Sequence, residues 1–321
     1  MSAQRFLVVS LALVASLSAQ AKEAQPQQAE APTPAGAGAN AAEAIPPELL
    51  AQIEQAAKEQ EAFMKAVGYK PGPFVGEMGA SQIQVPEGYL FADGAGAKKW
   101  AELTTNPVSN KEVGLIANEE QGWLVMFKFD EVGYVKDDEK DDLDAEDLLA
   151  SIKEGTEAFN ATRRAAGAPD LHIVGWEQKP VYNEAEHALE WCVRMESGGE
   201  PNLNFNTRVL GRKGVMTVTL MFGGETALAD VLPHFRTLMK GFSFKPGDTY
   251  SEYRDGDKLA EYGLAALVAG GAVAGAAKLG LFGKLAAILA KSAKLVIVAV
   301  VGVVAGAVQL FKKIFGKNDS E

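Results

Sequence analysis

Residues 202–222 read NLNFNTRVLGRKGVMTVTLMF, two runs with strand-like alternation joined by Gly211-Arg212-Lys213-Gly214. Alternation with period two marks half-buried strands, and a short glycine-framed turn between such runs marks a hairpin. Working outward, residues 188–195 and 171–176 have the same strand character, and Trp123, Val125, Phe127 and Phe129 alternate with neighbours that include Lys128. A short strand is expected over 82–85. A helix is expected over 145–166, with Leu148, Ile152 and Phe159 at helical spacing and Gly167 as its stop. Another runs over 226–240, with Leu228, Leu232, Phe235 and Met239 toward the sheet, before Gly241 and an edge strand at 242–244. Pro46-Pro47 opens a helix over 48–67 with Leu49, Leu50, Ile53, Ala57 and Met64 on one face. Hairpin-linked strands with helices outside them specify an α+β domain around a largely antiparallel sheet. The order of elements resembles the Mog1/PsbP-like fold, a likeness that implies no activity.

The two ends of the chain are apolar. Residues 6–17 form a short greasy run behind Arg5, closed by Ala19-Gln20-Ala21, which is the layout of a signal peptide over 1–21. That run is shorter than the about 20 apolar residues a bilayer span requires. Residues 22–45 are Ala, Gln, Pro and Gly with almost no large apolar side chain, so they are expected to be a disordered tether. The exported domain then covers 46–250. Residues 251–294 are expected to be a membrane-associated segment, in which Lys284, Lys291 and Lys294 oppose a face of Leu281, Phe282, Leu285, Ile288 and Leu289. Residues 295–311 are expected to form a transmembrane helix, fenced by Lys291 and Lys294 before it and by the basic tail 312–321 after it. Two topologies are open: a single span, or a hairpin in which residues from Gly263 to about Phe282 also cross. Gly271 and Gly275, and Gly302 and Gly306, are small-xxx-small pairs that allow close helix approach, by packing the two helices together, as a homo-oligomer or with another envelope protein.

Composition narrows function. A net charge of −11 argues against nucleic acid as a partner, because phosphate binding calls for clustered cations. Cys192 is the only cysteine, so no intrachain disulfide forms, and its strand-like setting reads as a packed thiol. His172, His187 and His234 lack metal-ligand spacing, and no nucleophile elbow, P-loop or dinucleotide fingerprint occurs. The acidic stretch 137–147 fails the calcium-loop pattern, since Asp142 stands where Gly is needed and Leu148 where Glu is needed. It reads as a solvated loop leading into a helix cap, with a loose Ca²⁺ or Mg²⁺ site as the alternative. Gly211-Arg212-Lys213-Gly214 reads as a hairpin turn with solvated charges, with anion binding as the alternative. Trp176, Tyr182 and Trp191 are placed around Pro180 on adjacent strands, as sheet packing or a groove lining.

Several motifs stand in order: Gly133-Tyr134-Val135-Lys136-Asp137-Asp138, Asn160 and Arg163, Gly175-Trp176, Pro180-x-Tyr182, Arg208-Val209-Leu210-Gly211-Arg212-x-Gly214, and Asp257-Lys258-x-Ala260-Glu261-Tyr262-Gly263-Leu264. Together they resemble the signature of domain-of-unknown-function family 2167, described as predicted membrane-anchored proteins. The resemblance spans about 72–310 and departs at Glu177 to Lys179 and at Tyr182-Asn183, where an apolar or Pro-rich stretch and Tyr-Asp are expected. It implies export and membrane anchoring and supplies no catalytic residues.

The sequence therefore leads to an inner-membrane protein of a Gram-negative envelope with its main domain in the periplasm, lipid as one partner, and no cofactor. The domain is read as a binding or interaction module. The competing reading is a metal-dependent hydrolase built on the Asp137 to Asp147 carboxylates. The candidate binding surface is Tyr134, Lys136, Asp137, Asp138, Trp176, Tyr182, Arg208 and Arg212, polar and aromatic residues at strand ends and turns, where sites sit on a scaffold.

Overall fold

The computed structural model describes residues 47–118 and 121–269. The expected signal peptide and tether, residues 270–321 and the glycines Gly271, Gly275, Gly302 and Gly306 lie outside the described residues. Among the described residues no helix is long and apolar enough to cross a membrane.

An eight-stranded antiparallel sheet forms the backbone of the domain. Its strands are β1 (Lys70–Pro71), β4 (Tyr89–Asp93), β5 (Glu112–Asn118), β6 (Trp123–Asp130), β7 (Leu171–Asn183), β8 (Ala188–Ser197), β9 (Glu200–Leu210) and β10 (Val215–Gly223), in the order β1-β4-β5-β6-β10-β9-β8-β7. The hairpin read from residues 202–222 is present, with Leu210 opposite Val215 and Asn202 opposite Gly223. A three-stranded sheet of β11 (Phe242–Phe244), β3 (Ser81–Val85) and β2 (Phe74–Met78) packs across one face of it. The helices are α1 (Pro47–Val67), α2 (Gly94–Leu103), α3 (Ala145–Ala165), α4 (Leu228–Met239) and α5 (Leu264–Val268).

Alternation within the large sheet sorts side chains into two faces. On one, Val125, Phe127, Cys192, Phe205, Met216 and Val218 meet Met78, Ile83 and Val85 of the small sheet and Val231, Phe235 and Leu238 of α4. The opposite face is covered in two parts. At the β4–β6 end, Leu115 and Met126 pack against Val67, Ala97 and Trp100 of α1 and α2. At the other end, Leu189, Trp191 and Val193 pack against Leu148 of α3 and against Tyr250, Leu264, Leu267 and Val268.

The structure differs from the sequence expectations in several places. β7 runs on to Asn183, through Pro180, so Trp176 and Tyr182 share one strand and only Trp191 lies on the next. It is an edge strand broken by three register shifts, and proline is tolerated at a sheet edge. α1 packs only through its C-terminal end, around Phe63 and Val67, while Leu50 and Ala57 are exposed. Residues 251–268, grouped in the sequence with the membrane-associated segment, lie against the domain, with Leu264 fully buried. Gly133 permits this course: a Cβ there would meet the Lys258 carbonyl oxygen at 2.5 Å, and its φ of 99° suits glycine.

Candidate functional site

The expected surface residues gather on the face covered by α3 and the 250–268 segment, where most of them have structural partners. Tyr182 Oη donates to Asp137 Oδ2 at 2.8 Å. The Tyr134 ring stacks on Tyr250, centroids 4.5 Å apart, and lies 4.3 Å from Tyr253. Burial, and then the Asp137 carboxylate, push the Tyr182 hydroxyl far above the usual tyrosine range. Trp176 Nε1 donates to the Ala145 carbonyl at 3.0 Å, fixing β7 to the start of α3. Arg208 lies 4.7 Å above the Trp191 ring, and loss of hydration lowers its guanidinium to about 10, so it stays charged at neutral pH. Lys136 and Asp138 are exposed.

The glycine-framed turn joins the hairpin as expected; Lys213 remains largely exposed, whereas Arg212 is mostly buried and paired. Arg212 makes a two-pronged contact with Asp257, 2.7 and 2.8 Å, and Lys213 Nζ is 2.7 Å from Asp248. The Arg212 guanidinium, seconded by the Arg254 backbone N–H, holds the Asp257 carboxyl down at about 2. A carboxyl depressed in the folded state stabilises the fold above its unfolded value of about 4, and that contribution is lost as pH falls from there through about 2. Replacing Asp257→Asn should therefore flatten the acid limb of a stability–pH curve between about pH 5 and 2, leaving the wild-type curve the steeper.

The acidic stretch is likewise employed. Asp144 caps α3, accepting from the Glu146 and Asp147 backbone N–H groups at 2.9 and 3.0 Å, which lowers its carboxyl. Glu146 pairs with Lys179 at 3.0 Å and Asp137 accepts from Tyr182. Among the described residues no three His, Cys, Asp or Glu side chains stand together as metal ligands. Tyr182→Phe should cost about 1.5 kcal/mol in urea unfolding, the low end for a bond to a charged acceptor because the site is only half-buried. An unchanged midpoint would show that the bond is not held in solution.

The cavity lies on the opposite face, and sequence reasoning missed it. It has a volume of about 390 Å³ and sits between α4 and β11, floored by β8 and β9 and closed at one end by residues 249–251. That size is within the range of natural ligand sites, roughly 300–1,000 Å³. Its walls are largely apolar: Val209, Phe235, Met239, Phe242 and Phe244. Within it, Arg236 forks onto both carboxylate oxygens of Glu190, whose side chain is only 5% exposed. Two buried polar atoms at its edge, Thr207 Oγ1 and His187 Nδ1, have no hydrogen-bond partner. Such atoms are uncommon in folded proteins and cost free energy unless a ligand or water meets them. His187, at φ 46°, also packs its ring at a tilt against Tyr250, centroids 4.6 Å apart, joining the cavity to the tyrosine cluster behind it. Cys192 lies in the adjoining core, and burial raises its thiol to about 12, so it is a packing residue and not a nucleophile.

A family model matches residues 69–303, more than half of the chain, and its description is a protein of unknown function, DUF2167. The chain belongs to this family. The DUF2167 motifs seen in the sequence are fastenings in the structure. Asn160 bonds both the N–H and the carbonyl of Leu171, at 2.9 and 3.0 Å. Arg163 Nε reaches the Pro169 carbonyl at 2.9 Å, Tyr134 bridges to Leu259, and Arg212 grips Asp257. No curated protein matches the chain. Among solved structures it is similar to the cyanobacterial PsbP (CyanoP) of Synechocystis, 12% identical, over 52% of this chain and 87% of that one, with a TM-score of 0.34. It is also similar to the apo form of the T6SS immunity protein TplEi of Pseudomonas aeruginosa, 9% identical, over 60% and 84% of the two chains, with a TM-score of 0.23. Superpositions at these scores carry no argument about activity; the α+β class with its large antiparallel sheet stands on the structure itself.

Proposed function

We propose that this DUF2167 chain is a membrane-anchored protein of the bacterial envelope whose folded domain is a binding module. The observation that carries the binding reading is the cavity between α4 and β11, apolar in its walls, with Thr207 Oγ1 and His187 Nδ1 unpartnered at its edge. A built, partly polar cavity of ligand size is the default place for a binding function. Anchoring rests on the sequence: the signal peptide at 1–21 and the Lys-fenced apolar run at 295–311. The main domain is then periplasmic and the tail sits in the inner membrane. The metal-hydrolase alternative gains no support, because Asp144 caps a helix and Asp137 and Glu146 already have partners.

The test places a photo-crosslinking residue at Lys240, on the rim of the cavity, in the full chain expressed in cells. A discrete adduct is expected there and not from the same probe at exposed Lys136. Protease added to spheroplasts should degrade the domain, while intact cells protect it. Adducts identical at both positions, or a domain protected in spheroplasts, would each overturn the corresponding half of the reading.

A further inference from the structure

The free edge of β11 faces the cavity. Gln84 N donates to Gly241 O and Lys245 N to Ala80 O, both at 2.9 Å, and these two bonds fix the phase of the β3–β11 ladder. Antiparallel pairs alternate between bonded and non-bonded, so Gly241, Ser243 and Lys245 direct their backbone groups at β3. Phe242 and Phe244 therefore direct theirs away from β3, and among the described residues those N–H and C=O groups have no hydrogen-bond partner. Phe242, Ser243 and Phe244 all line the cavity. β11 is an edge strand of its three-stranded sheet, and it and α4 both line the cavity. An edge left open in this way is a template for another strand.

Resting on the binding reading above, we infer that the cavity takes a strand: an extended, uncharged, apolar peptide segment of another protein adds to β11 and lies between it and α4. Outward backbone groups on Phe242 and Phe244, ~7 Å apart along the strand, match the alternate residues of an extended chain. In strand addition such main-chain bonds give affinity and pockets for alternate side chains give selectivity. The apolar walls at Val209 and Met239, both half-buried, receive those side chains. Charge selects an uncharged occupant. Arg236 faces Glu190 and lies 3.8 Å from Glu186, and Lys240 adds a second cation, so the rim carries two of each sign and offers no surplus to a charged peptide.

The experiment uses the full chain in detergent micelles and a phage-displayed library of random dodecapeptides. Selection should enrich peptides with alternating apolar residues and few charges. For the best peptide, N-methylation at alternate residues, which removes the backbone N–H groups facing β11, should weaken binding at least tenfold, while N-methylation at the intervening residues should not. Hydrogen exchange at Phe242 and Phe244 should be fast in the free protein and at least tenfold slower with peptide. Ser243, bonded to β3 throughout, is protected in both states and reports that the fold is intact. Met239→Trp, which narrows the gap, should abolish binding while Ser243 stays protected. No enriched peptide, or enrichment only of charged ones, overturns the inference. Binding that ignores N-methylation overturns strand addition but leaves the cavity a binding site. Protection of Phe242 and Phe244 without peptide also overturns it: if it rises with protein concentration the occupant is a second copy, and if it is constant the occupant is a segment of this chain.

Discussion

Arg236→Met is expected to destabilise the domain by about 3–5 kcal/mol, the usual cost of leaving one member of a buried ion pair alone. Glu190 sits within β8 with its side chain 5% exposed and takes both of its strong contacts from Arg236. Glu186 is 3.8 Å from the same guanidinium but is more than half exposed, so water replaces what it loses. Removing the Glu190 partner leaves a carboxylate only 5% exposed with nothing to offset its lost hydration. The double replacement Glu190→Leu with Arg236→Met should recover at least half of that loss, since paired apolar groups of similar size suit such sites. Urea unfolding of the full chain in detergent reads both, followed by fluorescence of the four tryptophans, all within the domain. A double variant as unstable as Arg236→Met alone would show that the stranded Glu190 charge is not the source of the loss, which would then lie in the contacts of the guanidinium itself, such as that over Phe205.

This pair also shows what the sequence conceals. Glu190 and Arg236 are 46 residues apart, as are no two features that a periodicity window compares. The strands β8, β9 and β10 were legible because their alternation is long and local, and α3 because Asp144 and Gly167 mark its ends. The elements β4, α2 and β5 were not. In α2 the buried residues are Gly96, Ala97, Trp100 and Ala101, so three of the four carry little or no apolar signal. In β5, Gly114 occupies a core position because Met78 fills its space: a Cβ there would meet the Met78 sulfur at 2.7 Å. Small residues chosen for close packing erase the pattern that betrays a buried element.

The site was legible in reverse. Polar and aromatic residues at turns drew attention, and most of them fasten the 250–268 segment or α3 to the sheet. The cavity residues drew none. Phe242 and Phe244 read as edge-strand packing, and Thr207 as one alternating position in β9. What distinguishes them is an absence of partners, which only tertiary structure displays: the open edge of a strand three residues long, and a hydroxyl 2% exposed with nothing to bond.

Leu264→Ala is expected to cost the domain about 2–5 kcal/mol, the range for truncating a buried leucine without collapse of the surrounding space. Leu264 is fully buried and, with Leu267 and Val268, packs in the cluster of Leu148, Leu189, Trp191 and Val193. The approach of this segment is fixed upstream by Arg212 on Asp257 and by Tyr134, whose N–H donates to Lys258 O and whose carbonyl accepts from Ala260, both at 2.8 Å. Such a leucine supports the folded domain, whereas a leucine facing lipid would contribute almost nothing to its unfolding by urea. The measurement therefore bears on the proposed anchor. A membrane hairpin beginning at Gly263 would have to draw Leu264, Leu267 and Val268 out of the core, at a cost each truncation reports. A large loss for Leu264→Ala leaves residues 295–311 as the span that the sequence supports best. A loss under about 0.5 kcal/mol, the level of an ordinary surface change, would mean that the segment leaves the core in the membrane-bound protein, and the two-span topology would be the better reading.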